Sequence, residues 1–207
     1  MQKLFLDIET VPAEEKARQT LKMLYDKKVK KAKNGVVHED FEQFLLNTCF
    51  DGAYGRIICI AYATNDDPVR SLCYDPDEAE TLRQFWGIAA QHNLFIGHNV
   101  MDFDLRFIYQ RSIVHKVRPT HNLSFARYRD YPIYDTMREW GKWSGTSVGL
   151  EYLALALGIP TPKQGIDGAH VFEFYQQGKL DEIVKYCQRD VETTRLIYKR
   201  MIFEENG

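Results

Sequence analysis

Cysteine is scarce in this sequence, and its scarcity argues against two common small scaffolds. The chain has four cysteines, which stand far apart and form no CxxC pair: Cys49, Cys59, Cys73 and Cys187. Disulfide frameworks and structural zinc sites need denser or closer cysteines. We therefore expect reduced thiols, as in a cytoplasmic compartment.

Long apolar runs are also missing. The run at residues 4–6 is interrupted by Asp7 before the apolar core of a signal peptide can form, and the run at residues 57–63 is strand-sized. A helix that crosses a bilayer needs about 20 consecutive apolar residues. The sequence therefore predicts a soluble, cytoplasmic protein that does not contact a membrane.

The chain has no overall excess of positive charge. Its 27 Lys and Arg residues face 29 Asp and Glu residues, so the net charge is −2, and a nucleic-acid contact would need a local basic patch. One such stretch exists, because residues 13–33 contain eight Lys or Arg and three acids, a balance of +5. A solvated helix face and a basic flank for a polyanion both remain open for this stretch.

Hydrophobic periodicity predicts one α/β domain over the 207 residues. Strands are expected at 4–8, 57–63, 69–74, 94–96 and 133–134, and helices at 78–91, 103–109, 148–157 and 180–203. The second and third strands should form a hairpin around the turn at 65–68, and Asp77 should cap the first of these helices. Residues 13–55 do not fit this succession of predicted strands and helices.

Two carboxylates, Asp7 and Glu9, end the first predicted strand. Side chains alternate along a strand, so these two share one face while Leu4, Leu6 and Ile8 share the other. Neighbouring acids raise each other's pKa unless a cation lies between them. A solvated strand end and a cation site are both compatible with this pattern.

A second acidic pair, Asp102 and Asp104, follows Asn99 at the start of a predicted helix. Asp102 precedes the apolar periodicity, so we expect it to be the helix cap. Asp104 lies inside the first turn, where capping does not explain it.

A third group lies on the last helix, where Tyr186 and Asp190 are spaced i,i+4 and share one face. Asp135 precedes a short helical pattern, so we expect it to be a cap rather than a ligand. Oxygen ligands without histidine or cysteine at ligand spacing favour Mg²⁺ or Mn²⁺ over zinc.

These motifs together resemble those of the DEDD 3'-to-5' exonucleases. The resemblance is greatest to the proofreading domain of family B DNA polymerases and its stand-alone bacterial relatives, and it spans nearly the whole chain. It selects Asp104 over Asp102, and Tyr186 stands where the tyrosine branch, DEDDy, has its tyrosine. The three motifs read Asp7-x-Glu9-Thr10, Asn99-x-x-x-Phe103-Asp104 and Tyr186-x-x-x-Asp190.

The resemblance implies a ribonuclease H-like fold: a mixed sheet whose first three strands are antiparallel, with helices on both faces. It implies a single exonuclease domain over residues 1–207. The stretch at 13–55 departs from the family as a long insertion after the first motif, and its role stays open.

The resemblance also implies the chemistry of the site. Two divalent cations, Mg²⁺ or Mn²⁺, would be held by Asp7, Glu9, Asp104 and Asp190, while Tyr186 would orient the attacking water. Thr10, Asn99 and Phe103 would contact the substrate. The expected substrate is a single-stranded 3' end, DNA rather than RNA, and the expected product is a nucleoside 5'-monophosphate. A polymerase or repair complex is the expected partner.

Three alternatives differ from this reading. An RNA-directed exoribonuclease of the same superfamily would carry the same motifs, since no reader of the 2'-hydroxyl is visible in the sequence. A catalytically silent nucleic-acid-binding module would need more positive charge. A phosphotransferase with an aspartyl-phosphate intermediate would need a later paired-Asp motif, which we do not find.

Overall fold

One mixed five-stranded sheet organises the chain in the computed structural model, which describes residues 1–32, 38–161 and 168–204. The spatial order is β3-β2-β1-β4-β5; β1, β2 and β3 are antiparallel, while β4 and β5 run parallel to β1. The predicted hairpin and the antiparallel first three strands are confirmed. The strands are β1 (Lys3–Val11), β2 (Arg56–Thr64), β3 (Arg70–Leu72), β4 (Leu94–Gly97) and β5 (Ile133–Asp135).

Helices cover both faces of the sheet, as expected. No helix in the described part of the chain is long and apolar enough to span a membrane. The described α-helices are α1 (Arg18–Lys31), α2 (Phe41–Leu46), α3 (Glu78–Ala89), α4 (Asp104–Val114), α5 (Thr136–Trp140), α6 (Leu150–Ala156), α7 (Val171–Gln176) and α8 (Leu180–Met201).

Strand β1 shows how its alternating side chains build two cores. Leu4, Leu6 and Ile8 point to the face covered by α3 and α4 and are buried there. Phe5 points to the opposite face, where its ring meets Tyr198 of α8 with centroids 5.5 Å apart. The residues at alternate positions after Phe5 therefore face α8, and these are the two acids of the first motif.

The unequal lengths of β1 and β4 leave part of β1 free. β4 pairs with β1 only as far as Phe5, which lies opposite Ile96. The rest of β1 runs past the end of β4, so its backbone groups on that side must find other partners. The loop and helix that follow β4 can approach β1 here.

The stretch at 13–55 forms a small unit of its own. A 3₁₀ turn (Glu15–Ala17) precedes α1, and a second 3₁₀ turn (Asn47–Phe50) follows α2. Tyr25 of α1 packs against two rings of α2, Phe41 and Phe44, each at 5.5 Å. The basic stretch is helical, as its composition suggests, although Lys33 lies outside the described residues.

Most predicted bounds are close to those observed. Asp77 caps α3 by accepting a hydrogen bond from the Glu80 N–H at 3.0 Å, and α3 ends at Ala89, two residues before its predicted end. The sequence did not predict α2 and α7, which have six residues each. Helices this short carry less than two turns of periodicity.

Candidate active site

The first two carboxylates, Asp7 and Glu9, lie on the α8 side of β1. In the register with β2 they stand opposite Ala61 and Cys59, and the register shifts at a bulge just after Glu9. Bulges often re-aim side chains beside active sites. Glu9 is buried and Asp7 is partly buried, with ligand oxygens within 4.8 Å of each other. Neither residue is a solvated strand-end acid.

The third carboxylate, Asp104, is the first residue of α4 and is buried. Its Oδ1 accepts a hydrogen bond from the backbone N–H of Ile8 at 3.0 Å. This N–H is free for a side chain because β4 ends before it reaches Ile8. Asp104 thereby occupies the open edge of β1, close enough to Asp7 to raise the pKa of that carboxyl.

The loop between β4 and α4 turns sharply to deliver Asp104. A Cβ atom at Gly97 would lie 2.5 Å from the Cβ of Val100, so only glycine fits this approach. Asn99 has φ +62°, in the left-handed region that asparagine tolerates better than most residues. Its backbone N–H donates to Asp135 at 3.0 Å. The predicted substrate contact Asn99 thus lies at the turn before Asp104.

Asp135 caps α5, as predicted, and also holds this loop. It is 1% exposed, and burial raises its pKa. Its carboxylate accepts four backbone hydrogen bonds, which join the loop after β4 to the start of α5. The donors are the N–H groups of Asn99 (3.0 Å), Met101 (3.1 Å), Met137 (3.0 Å) and Arg138 (3.2 Å).

The prediction that Asp102 caps α4 is wrong. The N-cap residue is Phe103, and no side chain caps this helix. Asp102 instead accepts a hydrogen bond from Arg138 Nε at 3.0 Å and lies 3.5 Å from Arg106. Charge-assisted pairs with guanidinium groups are stronger than a hydrogen bond to a single backbone N–H. Arg138 reaches Asp102 from α5, a tertiary contact that the local pattern does not contain.

The last motif places Tyr186 and Asp190 one turn apart on α8, both 8% exposed. Their side chains lie close enough for each to influence the pKa of the other. Asp190 Oδ1 is buried and has no hydrogen-bond partner among the described residues. Leaving such an acceptor unsatisfied costs about 1–3 kcal/mol. An orphan carboxylate oxygen beside other acids is a suitable cation ligand.

The four carboxylates of Asp7, Glu9, Asp104 and Asp190 oppose one another's ionisation. Burial raises the pKa of Asp7 and Glu9 well above their ordinary values, and the charge of Asp190 adds to both shifts. Burial also raises the pKa of Asp104 and of Asp190 to about 7. Burial and then the charge of Asp190 raise the pKa of Tyr186. A cation among the four carboxylates would stabilise their charged forms and so lower their pKa values.

A cysteine also belongs to this cluster, contrary to the expectation of oxygen ligands alone. Cys187 Sγ donates to Asp7 Oδ2 at 3.3 Å and lies within 4.8 Å of the ligand oxygens of Asp7 and Glu9. Cys187 precedes Asp190 by three residues, so both lie on the same side of α8. That spacing was the available signal, but the contact depends on packing between segments 180 residues apart.

One protein-family model matches this chain over residues 50–206. The family is described as a predicted 3'-5' exonuclease related to the exonuclease domain of PolB. The chain belongs to this family. The match begins at residue 50, so Asp7 and Glu9 of this PolB-like exonuclease lie outside the matched region. The fold brings them close to Asp104 and Asp190, which lie inside it. A search of curated proteins finds no match.

A solved structure agrees with the fold. The family B DNA polymerase from the hyperthermophilic archaeon Pyrobaculum calidifontis matches with a TM-score of 0.67 and 14% identity. The match covers 98% of this chain and 24% of the polymerase chain. The PolB-like exonuclease therefore has a ribonuclease H-like fold, and it spans about a quarter of the polymerase that it resembles.

The other two predicted substrate contacts lie where the insertion meets the site. Thr10 Oγ1 donates to the Cys49 carbonyl at 2.8 Å and so anchors the insertion to β1. The Phe103 ring is partly buried, with its centroid 5.6 Å from Phe107 and 6.3 Å from Phe50. Phe50 is 71% exposed. The insertion thereby ends next to the residue that precedes the α4 carboxylate.

The donor set of this PolB-like exonuclease fits a hard divalent cation. Asp7 and Glu9 lie with Cys187 in a group that could hold a metal ion, and Asp104 and Asp190 are near enough to raise the pKa of the buried Asp7 further. One oxygen of Asp190 is buried without a partner among the described residues. Mg²⁺ and Mn²⁺ prefer such ligands. PolB-like exonuclease domains generally use divalent metals.

Proposed function

We propose that this chain removes nucleotides from the 3' end of single-stranded nucleic acid, with DNA preferred over RNA. The observation that carries the proposal is the convergence of acids from β1, α4 and α8 with Tyr186. Elements this far apart in sequence rarely bring four mutually repelling carboxylates together without a cation to hold. The family match supports the same reaction class.

Each acid is assigned a position toward two divalent cations, Mg²⁺ or Mn²⁺. Asp7 would help to hold both cations, Glu9 and Asp190 would hold the one that serves the attacking water, and Asp104 would hold the other. When bound, the two cations supply the positive charge that stabilises the attacking and leaving oxygens. Cys187 donates its S–H to the Asp7 carboxylate and so holds that carboxylate in position.

Tyr186 orients the water. Because its pKa is raised, the phenol stays protonated at neutral pH and is a poor general base. It can still hold the water through its hydroxyl, which lies beside the Asp190 carboxylate. The water oxygen bonds to phosphorus and gives up its proton to solvent, and the bond from phosphorus to the 3' oxygen of the preceding nucleotide breaks. That oxygen takes a proton from solvent and stays on the shortened strand as a 3'-hydroxyl, and a nucleoside 5'-monophosphate leaves.

The same proposal covers the organisation and setting of the chain. The described strands belong to one sheet, which supports a single exonuclease domain over residues 1–207 with an insertion at 13–55. We place the enzyme in the cytoplasm, acting on 3' ends presented by a polymerase or a DNA repair complex.

The decisive experiment uses single-stranded DNA and RNA of one sequence, labelled at either end, with Mg²⁺, Mn²⁺ or EDTA. The 5'-labelled strand should shorten stepwise, while the 3'-labelled strand should release its label at once as a mononucleotide. Activity should stop in EDTA, and DNA should be degraded faster than RNA. Internal cuts, or full activity in EDTA, would contradict the proposal.

Two acids of α4 and its preceding loop provide a matched pair of variants. Asp104→Asn should lower turnover by about 10²-fold to 10³-fold or more, since a cation ligand supplies several kcal/mol of transition-state stabilisation. Asp102→Asn changes an equally small carboxylate that is bonded to Arg138 instead. Equal losses in the two variants would argue against the assigned role of Asp104.

A further inference from the structure

The loop between α4 and β5, residues 115–132, is mostly cationic. Its residues 115–129 contain Lys116, Arg118, Arg127 and Arg129 and no Asp or Glu, and one acid, Asp130, follows them before β5 begins. All four side chains are exposed, and none forms an ion pair with a described residue. Four cations against one acid leave this loop a net charge of +3, and none of the four cations is tied to a described acid.

The more basic stretch at 13–33 differs in this respect. Four of its cations already have acidic partners, which lowers the field that they present to a ligand. The pairs are Lys16 with Glu14, Arg18 with Glu42, Lys22 with Asp26 and Lys28 with Glu39. The 115–129 loop has the smaller count of cations but the larger share free to meet phosphate.

Aromatic rings accompany these cations. Tyr128, between Arg127 and Arg129, is 75% exposed, and its ring centroid lies 5.4 Å from that of Trp143. The Trp143 indole is held by a hydrogen bond from Nε1 to Glu139 Oε1 at 2.9 Å. Two adjoining rings form a patch rather than a single exposed side chain, and exposed apolar patches are typical of binding surfaces.

The backbone beneath these rings is unusual. Tyr128 has φ +64°, Lys142 has φ +45° and Trp143 has φ +62°. Bulky residues in the left-handed region cost free energy and cluster at functional sites. The Trp143 N–H donates to the Arg138 carbonyl at 3.0 Å, which helps to hold this conformation.

Contacts with the start of α4 join this surface to the candidate active site. Arg138, whose carbonyl holds Trp143, donates to Asp102, two residues before Asp104. On the other side, the guanidinium of Arg106 lies 5.7 Å from the centroid of the Phe125 ring, at the beginning of the exposed segment. The rings and free cations therefore begin beside the first turn of α4.

We propose that Arg127, Tyr128, Arg129 and Trp143 form a binding surface for the single-stranded nucleic acid that leads to the cleaved 3' end. The two rings stack bases and the two arginines contact phosphates, the combination typical of sequence-tolerant single-strand binding. We call this set the Tyr128–Trp143 surface. The inference rests on the proposed exonuclease function and adds the path of its substrate.

Binding of a fluorescent oligonucleotide in Ca²⁺ or EDTA tests the surface without requiring cleavage. The double variant Arg127→Gln with Arg129→Gln should weaken binding and reduce the slope of log affinity against log salt by about 1.4, because each single-strand phosphate contact contributes about 0.7. The matched control is Lys116→Gln with Arg118→Gln. These lie in the same loop next to the C-terminal end of α4 and should leave the slope unchanged.

Stacking is tested at Tyr128 itself. Tyr128→Asn suits the left-handed backbone but loses the ring, and it should weaken binding about 5-fold to 150-fold. Tyr128→Phe keeps the ring and should bind like the wild type. Tyr152→Asn, on α6, removes a ring of similar exposure, 72%, and should have no effect.

Oligonucleotide length separates this inference from the function on which it rests. Trinucleotides occupy little more than the candidate active site, so all these variants should cleave them at the wild-type rate, with defects only on longer strands. If the wild type degrades 3' ends but the Arg127, Arg129 and Tyr128 variants match their controls, the surface is wrong and the function stands. If the wild type neither binds nor degrades single strands, both fail.

Discussion

Tyr186 and Asp190 lie one turn apart on the same face of α8, yet only Asp190 offers a buried oxygen that lacks a partner among the described residues. Under the proposed function, Asp190 is a cation ligand and Tyr186 is a phenol that orients water. Tyr186→Phe removes only the hydroxyl. We expect turnover to fall by roughly 10²-fold to 10⁴-fold, the range for a positioned proton-transfer group, while Mn²⁺ affinity measured by calorimetry stays close to wild type.

Asp190→Ala is the contrasting variant and should lower both Mn²⁺ affinity and turnover, because it removes the ligand itself. Full turnover in Tyr186→Phe would reduce the tyrosine to a packing role. Loss of Mn²⁺ binding in that variant would show that the hydroxyl supports the ligand geometry instead of orienting water.

The stability of the metal-free chain should fall as pH rises. The pKa of Asp104 and of Asp190 is about 7 in the fold and 3.8 when unfolded. Between these values the unfolded chain loses protons that the folded chain keeps, so the free energy of unfolding decreases from about pH 4 to pH 7, by a few kcal/mol. Thermal unfolding in EDTA across this range measures the effect.

Divalent cations should reverse this trend, since they favour the ionised carboxylates, and Mg²⁺ or Mn²⁺ should raise the melting temperature most near pH 7. Replacing both residues, Asp104→Asn with Asp190→Asn, should reduce the pH dependence in EDTA to the part that the buried Asp7 and Glu9 contribute. A wild-type melting temperature in EDTA that does not change over this range would show that the acids are paired more favourably than their burial indicates.

Thr10 offers a test between structural anchoring and substrate contact. Thr10→Val removes the hydrogen bond to Cys49, worth about 0.5–1.5 kcal/mol. We expect faster amide hydrogen exchange at residues 47–50 together with a higher KM, because the insertion end loosens beside Phe103. Thr10→Ser should behave as wild type. A higher KM with unchanged exchange would indicate that Thr10 contacts the substrate directly.

Cys187 should control how well Asp7 holds a cation. Cys187→Ala removes the S–H donor, and outer-shell partners of this kind typically change metal affinity by about 10-fold to 100-fold. Cys187→Ser keeps a donor of similar size and should lose less. Calorimetric titration with Mn²⁺ distinguishes the two. Equal affinities in both variants would leave Cys187 as a packing residue only.

Local chemistry explains which parts of this fold the sequence could predict. Asp77 and Asp135 both cap helices as expected, because a cap depends on neighbours within three residues. The sequence could also predict that Asp7 and Glu9 share one face of β1, because the alternation of side chains along a strand is a local property.

Tertiary chemistry explains what the sequence could not predict. Asp102 accepts a hydrogen bond from Arg138 instead of capping α4, and Cys187 donates to Asp7, which lies 180 residues earlier in the sequence. The ring pair of Tyr128 and Trp143 joins two loops whose separate patterns carry no signal. Each of these contacts requires knowing which elements pack together.

The contacts of Asp135 make the assembly of the candidate active site depend on how much of the chain has been synthesised. The turn that delivers Asp104 is bonded to a carboxylate 36 residues beyond Asn99, and His98 beside it is bonded to Thr136 and to the Val148 carbonyl. On a ribosome, residues 1–100 lack these partners while they emerge. Asp7, Glu9, Asp104 and Asp190 can therefore come together only after β5 and α8 have left the exit tunnel, so under the proposed function a nascent or truncated chain should be inert toward nucleic acid.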